Sequence, residues 1–132
     1  MTRELLSGSA DVPMERIKVL FASMPLDEHV FPMTSLAVAL LDAGHDVRWY
    51  TQERYSGLLQ ELGIQHYPFK RPPQFHSGNL GDVFPLRTKA MSDKSLIRHD
   101  LRELFIRRGP EYYEDLREIR ETFPFTVVVA DL

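Results

Sequence analysis

An apolar run from Ile17 to Ala22, broken only by Lys18, ends at Ser23. Hydrophobicity that is continuous rather than alternating predicts a parallel strand covered on both faces, here over 17–23. A polar loop with Pro25, Asp27, Glu28 and His29 follows. From Pro32 the period changes. Met33, Leu36, Ala37, Leu40 and Leu41 fall at i, i+3, i+4, i+7 and i+8, one apolar stripe of a helix over 32–43. Pro32 suits its first turn, where a missing N–H costs nothing, and Gly44 suits the left-handed position just past its end.

The stretch 46–51 predicts a second strand, with Val47 and Trp49 on one face and Arg48 and Tyr50 on the other. A helix over 53–62 follows, its stripe made by Tyr55, Leu58, Leu59 and Leu62 and its end marked by Gly63. A short third strand is expected over 64–69. Three alternations of strand and helix within about fifty residues argue for right-handed βαβ units in a doubly wound, Rossmann-like parallel sheet.

The rhythm then breaks. From Lys70 to Met91 the chain holds Pro72, Pro73, Gly78, Gly81 and Pro85 without a period. Most connections take about 4–6 residues, so one this long is usually functional or disordered. Phe75, His76, Phe84 and Met91 give it apolar surface to line a pocket; a flap packed on the domain's own flank is the alternative. Ser92 can cap a helix reaching Arg108, with Ile97, Leu101, Leu104 and Phe105 as its stripe. Gly109-Pro110 breaks it, and a further helix over 110–122 is expected to bury Tyr112, Leu116 and Ile119. Phe125 to Ala130 predicts a fully buried strand, closed by Asp131. A parallel strand rarely finishes a domain without a covering helix, so the sequence reads as cut in mid-fold. It divides into a flexible leader over 1–16 and a Rossmann-like domain over 17–132.

Composition narrows the chemistry. The 132 residues suffice for one domain with a sizeable core. Without cysteine there is no disulfide, thiolate metal site or cysteine nucleophile. A net charge of −3 leaves no electrostatic footprint for nucleic acid. No apolar run approaches the roughly 20 residues that span a bilayer. The leader lacks the apolar centre of a signal peptide, so a cytoplasmic location is expected. Neither Gly-x-Gly-x-x-Gly nor a Walker loop is present, and Gly-x-Ser-x-Gly, the elbow of serine hydrolases, is absent too.

In open α/β sheets ligands gather at the carboxyl ends of the strands, which is where His29 and Asp131 both fall. His29 there can serve as a base or simply hydrogen-bond its own loop. Asp131 can orient a histidine or cap a following helix. His45, next to the helix-stopping Gly44, is expected to be structural, and His66 and His76 to be solvated loop residues before they are ligand contacts. Asp27, Glu28 and His29 are adjacent and do not converge on one ion, so no metal is expected.

The stretch from Ala22 to Thr51, continued by Glu61 to Phe69, resembles the amino-terminal half of the GT-B glycosyltransferases. The closest likeness is to the family-1-like enzymes, which move sugars from nucleotide diphosphates to small acceptors. That family follows its first strand with Gly-His-x-x-x-Pro or Gly-His-x-x-Pro, matched here by Glu28-His29-Val30-Phe31-Pro32. Its Gly-His-x-Val turn is matched by Ala43-Gly44-His45-Asp46-Val47, and its later Val-Val-Ala-Asp by Val128 to Asp131. The resemblance implies an inverting transferase with His29 as base and Asp131 as its partner. Phe31, Phe75, Phe84 and Met91 would contact a small-molecule acceptor. It also implies that the nucleotide-diphosphate sugar is held by a carboxyl-terminal domain missing here, in cis or in trans, so that this half binds no cofactor and is inactive alone. A stand-alone module needing a separate donor-domain partner is the alternative. Glu28 replaces the family's glycine: a left-handed backbone there would be strained, and an ordinary one would set a carboxylate beside His29.

Overall fold

A computed structural model of the chain describes residues 15–75 and 92–131. Four parallel strands form one sheet, β1 (Lys18–Ser23), β2 (Asp46–Thr51), β3 (Gln65–Pro68) and β4 (Val127–Asp131), in the order β3-β2-β1-β4. Between them run α1 (Asp27–Asp42), a 3₁₀ turn (Glu53–Tyr55) leading into α2 (Ser56–Glu61), and α3 (Asp93–Asp100), which continues as a π-helix (Leu101–Ile106). The last helix is α4 (Gly109–Thr122). No helix among the described residues is long and apolar enough to cross a membrane.

The alternation expected for 46–51 sorts the two cores. Val47 and Trp49 join Val19, Phe21, Val30, Ala37, Tyr55, Leu59 and Ile64 on the face covered by α1 and α2. Tyr50 joins Leu20, Met24, Phe69, Phe75, Ile119 and Phe123 on the face covered by α4. Both helices of the first face end on a glycine with positive φ, Gly44 at 94° and Gly63 at 74°. Each ending returns two backbone bonds. Gly44 N–H donates to Leu41 O and His45 N–H to Leu40 O, while Gly63 and Ile64 donate to Gln60 and Leu59. That is the pattern that satisfies the last carbonyls of a helix.

Three expectations need correction. The first helix begins at Asp27, not Pro32, so Pro32 lies inside it and His29 belongs to its first turn rather than to a loop. Its buried stripe consequently gains Val30, while Leu36 stays 45% exposed. Ser92 does cap α3, its Oγ accepting the Ser95 N–H at 3.2 Å, yet Ile97 is 62% exposed instead of packing inward. The side chains of Leu101, Leu104 and Phe105, like residues 1–14 of the leader, lie outside the description. Finally β4 is not fully buried. It is an edge strand, paired with β1 alone among the described residues, and Val127 and Val128 are exposed.

Candidate functional site

Parallel register builds the site. β1 and β4 pair so that Ser23 stands beside Asp131 at their carboxyl ends. Partners in adjacent strands share a face, which brings the Asp131 carboxylate out on the side where α1 lies. Only three residues separate Ser23 from the start of α1. The turn is tight: Leu26 N–H donates to Met24 O, and Leu26 O accepts from the backbone N–H groups of His29 and Val30. His29 is thereby held over the end of β1, with its Nδ1 3.4 Å from Asp131 Oδ2. Its side chain is 19% exposed and that of Asp131 39%, so the pair sits at the rim of the sheet with access to solvent. Nδ1 is itself buried and makes no aligned hydrogen bond at this distance.

The surrounding groups hold this rim in place. Trp49 Nε1 donates to Ser23 Oγ at 2.9 Å, and Thr51 Oγ1 to Ser23 O at 3.0 Å. The Tyr55 hydroxyl donates to Asp27 Oδ1 at 2.7 Å, tying the first turn of α1 to the chain beyond β2. Burial, and then that hydrogen bond, raise the Tyr55 phenol well above its ordinary range. Asp27 and Glu28 place negative charge at the start of α1, where the helix dipole favours it. No non-glycine residue among those described has positive φ, so Glu28 sits in ordinary backbone and the family's glycine is not needed for geometry.

The other expected site residues that are described do not gather around His29. Phe31 is two residues further along a helix, roughly 200° round its axis. Its ring, 51% exposed, lies edge-on to Tyr55 at 6.4 Å, on the flank of α1 away from Asp131. Phe75 is fully buried, packed in the core with Phe69 and Phe123, and its N–H donates to Gln52 Oε1 at 3.1 Å. Expected as an acceptor contact, it is placed as a core residue. Phe84, Met91 and His76 lie outside the described residues. His45 is structural, its Nδ1 accepting the Ile17 N–H at 3.2 Å. His66 is not a solvated loop residue: it lies in β3, its Nε2 bonds Thr51 O at 2.9 Å, and burial lowers its pKa. Among the described residues no group of His, Asp and Glu could hold a metal ion.

One buried charge was missed. Asp115 interrupts the stripe of α4 between Tyr112 and Ile119, the only trace it leaves in the sequence. It accepts from the Tyr50 hydroxyl at 2.7 Å, the N–H groups of Lys70 and Arg71 at 2.9 and 3.3 Å, and Arg71 Nη1 at 2.7 Å. A cavity of about 470 Å³ opens beside it, lined by Tyr67, Phe69, Lys70, Glu118, Ile119 and Thr122 among others. It lies on the α4 face of the sheet, whereas His29 and Asp131 lie on the α1 face.

No family model matches the chain. It is 31% identical over 114 residues to 4'-demethylrebeccamycin synthase of Lentzea aerocolonigenes, a match covering 86% of this chain and 27% of that protein. It is 25% identical over 104 residues to UDP-glucosyltransferase B1 of Starmerella bombicola, covering 79% of this chain and 24% of the relative. The chain thus spans about a quarter of the length of these curated relatives. Among solved structures, CalG4, the calicheamicin glycosyltransferase, superposes with a TM-score of 0.67 at 19% identity, over 89% of this chain and 27% of that one. That likeness is one of fold.

Proposed function

From the premise that the chain is homologous to part of the glycosyltransferases and shares the fold of their GT-B members, we propose that it forms the acceptor side of an inverting sugar transferase. The observation that carries this is the approach of His29 Nδ1 to Asp131 Oδ2, 3.4 Å apart at the carboxyl edge of the sheet. Asp131 facing Nδ1 leaves Nε2 to receive the acceptor's hydroxyl proton. The carboxylate fixes the tautomer and stabilises the imidazolium that forms. As the acceptor oxygen bonds to the anomeric carbon, the bond from that carbon to the diphosphate breaks. The nucleoside diphosphate leaves with the electron pair, and attack from the opposite side inverts the centre. The donor is a nucleotide-diphosphate sugar bound by a second domain, in cis or in trans. UDP-glucose is the first to try, given the name of one relative.

The test uses the full polypeptide that carries this chain, with UDP-glucose and a panel of hydroxylated acceptors. His29→Ala is expected to lower turnover by about 10²–10⁴-fold, the usual worth of general base catalysis. Asp131→Asn should lower kcat with little change in KM for either substrate. Turnover in His29→Ala within a few-fold of wild type removes His29 as the base.

A further inference from the structure

Trp49 is fully buried on the face covered by α1 and α2, its ring 5.0 Å from that of Phe21. A phenylalanine would serve that packing. What the indole adds is an N–H, and a buried N–H needs an acceptor. It finds Ser23 Oγ, 2.9 Å away and itself buried. Ser23 is held a second time through its carbonyl, which accepts from Thr51 Oγ1 at 3.0 Å. Thr51 is fixed in turn, its own carbonyl accepting from the Phe69 N–H at 3.1 Å and from His66 Nε2 at 2.9 Å. The end of β1 is therefore tied across β2 to β3.

Ser23 is also where the routes to His29 and Asp131 part. Across the ladder its register partner is Asp131. Along the chain only Met24, Pro25 and Leu26 lie between it and α1. That turn has little freedom of its own. Met24 lies in the core on the α4 face, Pro25 is fully buried, and the Leu26 N–H donates to Met24 O at 2.9 Å. A displacement of Ser23 thus passes to Asp131 through the ladder and to His29 through the turn. One route runs across the strand and the other along it, so the two side chains would move unequally. The 3.4 Å between His29 Nδ1 and Asp131 Oδ2 depends on where Ser23 is held.

We propose that Trp49 and Ser23 are positioning residues, their hydrogen bond setting how the Asp131 carboxylate meets the imidazole of His29. Trp49 is fully buried and acts only through Ser23. The proposal rests on His29 and Asp131 as base and partner, and it assigns their placement to two residues that sugar transfer itself does not call for. A bond that did no more than satisfy two buried polar groups would cost stability when lost and leave the pair as it was. Misplacing a catalytic group by about 1 Å can instead cost about 10²-fold in rate from a change that never touches substrate.

The experiment uses the full polypeptide, labelled with nitrogen-15 at histidine, as wild type, Trp49→Phe, Ser23→Ala and the double variant. With the ring neutral, the imidazole signals of His29, assigned by their loss in His29→Ala, show which nitrogen carries the proton. Wild type is expected to hold it on Nδ1, facing Asp131, and Asp131→Ala to move it toward Nε2. Trp49→Phe and Ser23→Ala should each shift the signals toward those of Asp131→Ala. Each should also lower kcat by about 10- to 100-fold, with KM for both substrates within about twofold. The double variant should be no slower than the poorer single one, since either change removes the same bond. Ser23→Ala removes a single oxygen and keeps the test open should Trp49→Phe fold poorly. Asp115→Ala is the control: it weakens the fold from the other face of the sheet and should leave the His29 signals and kcat unchanged. Wild-type imidazole signals in both single variants overturn the proposal, as does a shift that Asp115→Ala matches at equal loss of Tm. Failure of the sugar-transfer assignment looks different: His29→Ala then turns over normally, while the imidazole signals still judge what Trp49 and Ser23 do.

Discussion

Asp115 shows how one buried carboxylate can be held charged. Burial acts to raise its pKa. The Lys70 N–H, the Tyr50 hydroxyl and the Arg71 guanidinium and N–H together outweigh that and hold it below the usual carboxylate range. The same carboxylate pins the chain leaving β3 to α4, so its loss strands donors from two elements. Asp115→Ala is expected to cost about 1–3 kcal/mol in urea denaturation at neutral pH, as for buried donors left unsatisfied. The sign with pH follows from the depressed value. The stability Asp115 lends is whole above the ordinary carboxyl value of 3.8 and drains as the pH falls through the folded one. The gap between wild type and Asp115→Ala should therefore be constant from neutral pH down toward that value and narrow below it. A gap that does not narrow in acid means the carboxylate's charge is not what it contributes. Tyr55→Phe is a smaller case: its hydroxyl meets Asp27, a half-exposed carboxylate, and about 0.5–1.5 kcal/mol is the expected loss.

The helices separate what local chemistry announces from what tertiary context decides. Gly44 and Gly63 were legible as helix ends because only a residue without a Cβ takes those φ values freely. A Cβ at Gly44 meets nothing within 4 Å, so Gly44→Ala isolates the backbone penalty, about 1–2 kcal/mol. Gly57, inside α2 with equally open space and no positive φ, should respond the other way, Gly57→Ala stabilising by about 0.5–1 kcal/mol. Denaturation midpoints at constant slope would show both. The start of α1 was not legible. Pro32 carries the signature of a first turn, yet the helix tolerates it one turn later, where it and Glu28, whose carbonyl it leaves without a helical donor, are both exposed. That shift changed the site, because the direction of Phe31 relative to His29 exists only once both are known to be helical. The nearness of His29 to Asp131 was legible because both lie at the carboxyl end of a strand, Asp131 closing β4 and His29 standing in the turn of helix just past β1. Asp115 was not, since its partners lie some forty-five residues or more away in sequence.

At the scale of the whole molecule, the order β3-β2-β1-β4 leaves β4, among the described residues, with one open ladder edge and little cover on either face. In register, Val127 stands beside Val19 and Val128 beside Leu20, so the two exposed valines point to opposite sides of the sheet. Exposed apolar edge strands template pairing with other chains unless charge or a bulge blunts them, and neither is present at Val127 and Val128. The 132-residue chain should therefore associate reversibly at high concentration through β4. Val128→Lys places a charge on that edge while β1 still pairs on the inner side. Sedimentation velocity should show association weakened by about tenfold, with folding free energy within about 0.5 kcal/mol of wild type, as for a surface change. Because Ser23 and Asp131 remain paired, the separation of Asp131 from His29 should be preserved, visible as unchanged imidazole NMR signals of His29. Association that survives the substitution would place the contact on another surface, while His29 signals that shift would mean the outer edge of β4 helps to set the register of the site.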